Sequence, residues 1–239
     1  MDKALSDQEC AVRVDAIILA RGGSKGIPKK NILEFCGKPL LAWSIEQCLQ
    51  ASSVNTVWVS SDDDQILRIA EIYGAKLIKR PEEISGDTAT SESGWLHAAD
   101  YIEGKGVNLD AILAPQVTSP LRKPGDIDRA VEKFILEDLD SLFASSIVDD
   151  LFFWGEGRDG VMTSINYDYK HRKRRQDLQK QIIESGSFYL FDSKTLRLTN
   201  NRFGKRIGYH EMELWQMFEI DDVNDLRMCS ALMREFILV

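Results

Sequence analysis

A chain of 239 residues has the size of one large domain, or of one domain with a small appendage. Apolar residues at 44% and charged residues at 28%, with 16 Gly and 6 Pro, describe an ordinary globular chain and exclude collagen, coiled coil and wholesale disorder. Thirty basic against 38 acidic side chains leave a net charge of −8, which argues against a nucleic-acid partner and against attachment to an anionic membrane by net charge.

No apolar run approaches bilayer length, so no membrane partner is expected. The polar start, residues 1–7, carries no apolar signal segment, and a cytoplasmic protein is the expectation. Cys10, Cys36, Cys48 and Cys229 form no CxxC pair and fit buried free thiols better than a disulfide framework. The scatter of His97, His171 and His210 argues against a zinc site.

In chain order, residues 15–20 form a short apolar run that predicts a strand opening into a glycine-rich loop. Leu40, Leu41, Ile45, Cys48 and Leu49 recur at helical spacing and predict a helix over 39–51, with Pro39 in its first turn. A β-branched and aromatic run predicts a strand over 56–60, and Asp62, Asp63 and Asp64 after it read as caps for the next helix. That helix, over 64–73, carries Ile66, Ile69, Ala70 and Tyr73 at helical period and ends at Gly74. Strands come next at 75–79 and 110–114, with a helix over 90–102 between them. A helix over 124–136, strands over 141–148 and 187–191, and a closing helix over 223–236 complete the series.

Short apolar strands alternating with helices mean βαβ units and predict an α/β fold, a doubly wound, mostly parallel sheet. Such sheets bind ligands at the carboxyl ends of their strands, near the switch point of strand order. Residues 149–180 break the alternation: Phe152, Phe153 and Trp154 cluster beside turn residues, ahead of a basic run over 170–175. The stretch reads as an insertion within a single domain spanning 1–239. Its aromatics suit either a dimer contact or a local satellite core.

Directly after the first strand comes Leu19-Ala20-Arg21-Gly22-Gly23-Ser24-Lys25-Gly26. Consecutive glycines let the backbone turn tightly and bring amides near a ligand. Arg21, Lys25, Lys29 and Lys30 surround that backbone with cations, a chemistry that suits a polyphosphate. The spacing is neither a Walker A loop nor GxGxxG.

The run ARGGSKGIPKKN, followed by GKPLLAWSIEQ, resembles the cytidylyltransferases that activate nonulosonic sugars, the CMP-sialic acid synthetases or acylneuraminate cytidylyltransferases. VSSDDDQI, IKRPEEISGDTATS, PQVTSPLR, RQDLQK with ESGSFYLF, and FEIDDVNDL resemble further segments of that family, in the right order, from about residue 14 to residue 235. The resemblance implies a Rossmann-like nucleotidyltransferase fold. It also implies CMP transfer from CTP to the anomeric hydroxyl of a nonulosonic acid, with pyrophosphate release, Mg²⁺ as cofactor and a homodimer whose contact is the 149–180 insertion.

The matching motifs also imply residue roles. Arg21 and Lys25 hold the triphosphate, with Leu19, Ala20, Gly22, Gly23 and Ser24 forming the loop beside it. Asn31 and Arg80 contact the base and ribose, and Thr88, Ala89 and Ser91 shape the cytosine pocket. Gln116 and Ser119 line the sugar site with Ser185 and Gly186, Arg175 reaches the sugar carboxylate, and Tyr189 walls the site. Glu219 and Asp221 hold magnesium, and Arg21, Lys25 and Asp221 are the implied catalytic set.

Read from the residues alone, Glu219 and Asp221 point the same way on an extended segment, and Mg²⁺ needs few carboxylates besides phosphate oxygens. The competing reading is a helix start in which Asp221 or Asp222 is the cap. The chain departs from the family at Ser185, where Asn is frequent, at Trp154, where some relatives carry Lys, and at Ser61, where Thr is usual. Three other functions stay open. An octulosonate cytidylyltransferase would carry an acidic residue where this chain has Val117-Thr118-Ser119, and a silent nucleotide-binding regulator would keep the fold without catalysis. A nucleic-acid patch over 170–175 would bind in a salt-dependent way.

Overall fold

The computed structural model describes residues 12–24 and 26–238; Cys10 and Lys25 lie outside the described residues. The first half matches the predicted alternation. Strand β1 (Val14–Leu19) leads through a short hairpin, β2 (Glu34–Phe35) and β3 (Lys38–Pro39), into helix α1 (Leu40–Gln50). Then come β4 (Thr56–Ser61), α2 (Asp64–Ile72), β5 (Lys76–Lys79), α3 (Ser91–Glu103), β6 (Ala111–Pro115) and α4 (Asp126–Leu136).

The second half holds β7 (Ser141–Val148), a small hairpin of β8 (Trp154–Glu156) and β9 (Met162–Ser164), and β10 (Gln181–Asp192). It closes with α5 (Ser193–Thr199), β11 (Ile207–Glu211) and α6 (Val223–Phe236). The seven-stranded sheet runs β11-β7-β10-β6-β1-β4-β5. Only β10 is antiparallel to its neighbours. Strand order reverses beside β1, the switch point of a doubly wound sheet.

The sheet is buried on both faces, which is why its strands read as apolar runs. In β1, Val14, Ala16 and Ile18 enter the core under α1, α2, α4 and α6, while Ile17 joins Trp95, Ala98 and Ile102 of α3 on the other side. Helix α2 starts because Asp63 accepts from the Gln65 and Ile66 amides, and it stops at Gly74, whose φ of +88° only glycine adopts freely. The β8–β9 hairpin forms its own two-stranded sheet, so the 149–180 stretch does leave the main sheet. Within it Phe152 and Trp154 pack on Tyr167, at 4.4 and 5.9 Å between ring centres, as a satellite cluster.

Three expectations are corrected. β10 begins at Gln181 rather than 187, because its first residues pair with β7 and a bulge between Glu184 and Tyr189 interrupts the pattern. β11 was not predicted: of its five residues only Gly208 and His210 are buried, so it shows no apolar alternation. Of the three aspartates after β4, Asp63 alone caps a helix. The described cysteines Cys36, Cys48 and Cys229 are free thiols, and burial pushes those of Cys48 and Cys229 up to about 12. No helix among the described residues is long and apolar enough to cross a membrane.

Candidate active site

A cleft of about 570 Å³ opens at the carboxyl ends of β1 and β6. Its floor and rim come from the glycine turn, from Lys30 and Asn31, from residues between Arg80 and Trp95, from the Pro115–Thr118 segment, and from Asp221.

The turn is anchored from several directions. The Ala20 amide donates to the Ser60 carbonyl at 3.1 Å, and Asn31 Nδ2 donates to the Arg21 carbonyl at 2.9 Å. The Gly22 amide, read from sequence as facing a ligand, donates instead to Asp62 Oδ1 at 3.1 Å. Gly26 lies against the Asp221 carbonyl with no room for a Cβ, which is the physical need for glycine there.

Cations rim the cleft. Arg21 reaches Asp87 Oδ1 at 2.8 Å, and Lys30 Nζ donates to Asp221 Oδ1 at 2.7 Å. Arg80 is buried and donates to Ser85 Oγ at 3.0 Å. Burial holds its guanidinium below the usual arginine value; the Arg21 charge adds to that, and Asp62 opposes it. Thr90 caps α3 by accepting from the Ser93 amide, which sets Ala89 and Ser91 on the cleft wall; Thr88 is not among the lining residues.

On the β10 side, Gln116 lines the cleft and Ser119 lies buried beneath it. Gly186 sits in the bulge against the Glu219 carboxylate and the Gln116 amide, where a side chain would clash with both. Ser185 Oγ accepts from the Ser187 amide at 3.2 Å. Tyr189 is buried, donates to Glu184 Oε1 at 2.7 Å and carries the Arg202 guanidinium 4.6 Å from its ring; burial pushes its hydroxyl pKa up. Sequence reasoning missed Arg122, although it stands in the PQVTSPLR run. It is fully buried, donates to the Gln116 and Ser187 carbonyls at 2.6 Å each, and burial pulls it down to about 10. Its other partners, Ser44 Oγ, Gln47 Oε1 and the Ser187 carbonyl, come from α1 and β10, so its role shows only once the chain is folded.

Asp222, not Asp221, caps α6, accepting from the Asn224 and Asp225 amides at 2.6 and 3.0 Å. The Asp221 carboxylate is thereby left to the cleft. Burial raises the Glu219 pKa and the Asp221 charge raises it further, against opposing contacts from Ser119, Lys30 and the Gly186 amide. Glu219 is thus partly buried, whereas the Asp221 side chain is 71% exposed at the cleft mouth. Among the described residues no group of three or more His, Cys, Asp or Glu could hold a metal alone. A Glu–Asp pair completed by phosphate oxygens and water is the donor set that suits Mg²⁺.

Arg175 is not brought to the cleft. It sits on the 149–180 stretch, 72% exposed at its side chain, paired with Asp149 at 3.0 Å.

An open, mostly parallel sheet with a cation-rimmed cleft at its switch point defines a doubly wound α/β protein. The chain belongs to the cytidylyltransferase family, which it matches over residues 16–213. It is 33% identical to the pseudaminic acid cytidylyltransferase of Campylobacter jejuni over 222 residues, 90% of this chain and 94% of that one. It is 36% identical to N-acylneuraminate cytidylyltransferase A of Danio rerio over 211 residues, 87% of this chain and 48% of that protein. The chain therefore spans about half the length of the vertebrate relatives it matches. The fold is that of a CMP:2-keto-3-deoxy-manno-octonic acid synthetase complexed with CTP, with a TM-score of 0.65 at 17% identity, covering 93% of this chain and 99% of that one.

Proposed function

We propose that the chain transfers cytidylate from CTP to the anomeric hydroxyl of a nonulosonic acid and releases pyrophosphate. One observation carries this: at the switch point of a cytidylyltransferase-family sheet, Arg21, Lys30 and Arg80 converge with Asp221 on one cleft. Relatives named for N-acylneuraminate and pseudaminic acid support a nonulosonic acid as acceptor.

The sugar hydroxyl attacks the α-phosphorus in line. The new O–P bond forms as the α–β bridge breaks, the hydroxyl proton is released, and pyrophosphate departs. Such chemistry asks for positioning and charge neutralisation rather than a covalent intermediate. Arg21 and Lys30, with Lys25, offset charge on the departing pyrophosphate. Asn31 fixes the turn, while Arg80, Thr88, Ala89 and Ser91 hold the nucleoside. Gln116, Ser119, Ser185, Gly186 and Tyr189 form the acceptor side, and Arg175 joins them only on release from Asp149. Glu219 and Asp221 would hold Mg²⁺, which supplies charge neutralisation across the phosphate oxygens. The 149–180 stretch, with Phe153, Trp154, Met162 and Ile165 exposed, pairs two copies of the chain.

The test is CTP labelled at its α-phosphate, with Mg²⁺ and a panel of N-acetylneuraminate, its deaminated analogue, legionaminate, pseudaminate and 3-deoxy-octulosonate. Label entering one of the nonulosonic acids supports the proposal. Label entering only the octulosonate shifts the substrate to that rival, and no transfer to any acceptor contradicts it.

A further inference from the structure

We propose that Asp62 is a positioning residue that ties the glycine turn to Arg80, so that the phosphate end and the nucleoside end of the cleft keep a fixed spacing. The proposal rests on reading the cleft as the CTP site.

The three aspartates after β4 do three different things. Asp63 caps α2, and Asp64 Oδ1 takes Lys79 Nζ at 2.6 Å. Asp62 does neither with its carboxylate. Its Oδ1 accepts the Gly22 amide at 3.1 Å and stands 3.9 Å from the Arg80 guanidinium, and its backbone carbonyl takes Lys79 Nζ at 2.7 Å. The peptide unit joining Arg21 to Gly22 is thus held at both ends, by Asn31 on its carbonyl and by Asp62 on its N–H. That fixes the direction in which the Arg21 side chain leaves the turn.

Asp62 also places a negative charge 3.9 Å from the Arg80 guanidinium. Arg21 and Arg80 act on each other unfavourably, and Asp62 opposes that effect on Arg80. Its side chain is only 24% exposed, so its charged hydrogen bond is poorly screened by water. A Gly22 amide engaged by protein is not a phosphate ligand; its part is to orient the peptide that carries Arg21.

The variants separate acceptor from charge. Asp62→Asn keeps an oxygen for the Gly22 amide and loses the charge, while Asp62→Ala loses both. Calorimetric titration with CTP and Mg²⁺ comes first on the unaltered chain: failure to bind there sinks the CTP reading itself, before any variant is considered. Given binding, Asp62→Ala is expected to weaken it about tenfold, the loss of one charged hydrogen bond. Hydrogen exchange at the Gly22 amide should speed up in step, and KM for CTP should rise more than kcat falls. Asp62→Asn should restore slow Gly22 exchange and part of the affinity, and it carries the test if the alanine variant does not fold. Affinity within twofold of the unaltered chain in Asp62→Ala, or Gly22 exchange as fast in Asp62→Asn as in an unstructured loop, overturns the proposal.

Discussion

Lys30 is the described cation best placed to act on phosphate. Its side chain is 13% exposed, it lines the cleft, and its partner Asp221 comes from 191 residues further along the chain. On the proposed reading, a half-buried ammonium held against one exposed carboxylate is free to turn to an anion with more charge. Lys30→Ala should therefore lower kcat by about a hundredfold, the loss typical of one preorganised donor. Circular dichroism should show the fold retained, since the ion pair that Lys30 makes is to an Asp221 side chain that is itself 71% exposed. Equal kcat in the variant and the parent, measured by pyrophosphate release, would count against Lys30. At the same scale the sequence was partly legible. Arg21, Asn31, Arg80 and Gln116 were named from motifs and all line the cleft. Lys30 was seen only as one of four nearby cations, because its partner is visible only in three dimensions.

At the scale of elements, the start of α4 shows how a buried carboxylate is held. Asp126 accepts from the Lys123 amide at 2.7 Å, from Gln216 Nε2 at 2.8 Å and from Arg129 at 2.5 Å, with the His210 imidazole 3.8 Å away. Burial alone would raise its pKa, but His210, Gln216 and the Lys123 amide outweigh it and hold the carboxyl below 3.8. A carboxyl depressed on folding contributes stability above its unfolded pKa and loses it as pH falls through the native value. Asp126→Asn should then cost about 2–3 kcal/mol at pH 7, the range for hydrogen bonds to a charged group. In thermal melts the gap to the parent should narrow below pH 3.8; a gap independent of pH would contradict the assignment.

Elements themselves were legible in proportion to their apolar content. β1, β4 and β6, buried on both faces, were read nearly to the residue, as were the spans of α2 and α6, whereas their caps, Asp63 and Asp222, were not singled out from neighbouring aspartates. The first residues of β10 hid behind Glu184, Ser185 and Gly186, whose polar run marks the bulge proposed to carry the acceptor side of the cleft. The hairpin β8–β9 and the short α5 escaped because three-residue strands and a seven-residue helix lack a readable period.

For the whole molecule, the 149–180 stretch sets the next question. Phe153, Trp154, Val161, Met162 and Ile165 are each exposed on an excursion from the sheet, and we propose that a second copy of the chain covers them. Sedimentation equilibrium should find a dimer, and Trp154→Glu should shift it to monomer, with circular dichroism showing the fold retained. A parent chain that sediments as a monomer at every concentration would remove the pairing role.

Every role assigned to these residues depends on the cleft beside β1 being a cradle for a nucleoside triphosphate. A crystal structure with CTP and Mg²⁺ tests this most directly. The expected result is the triphosphate between Arg21 and Lys30, the cytosine against Ala89 and Ser91, and the metal at Glu219 and Asp221. CTP seated elsewhere on the molecule, with Arg21 still bound to Asp87 and Lys30 to Asp221, would contradict it.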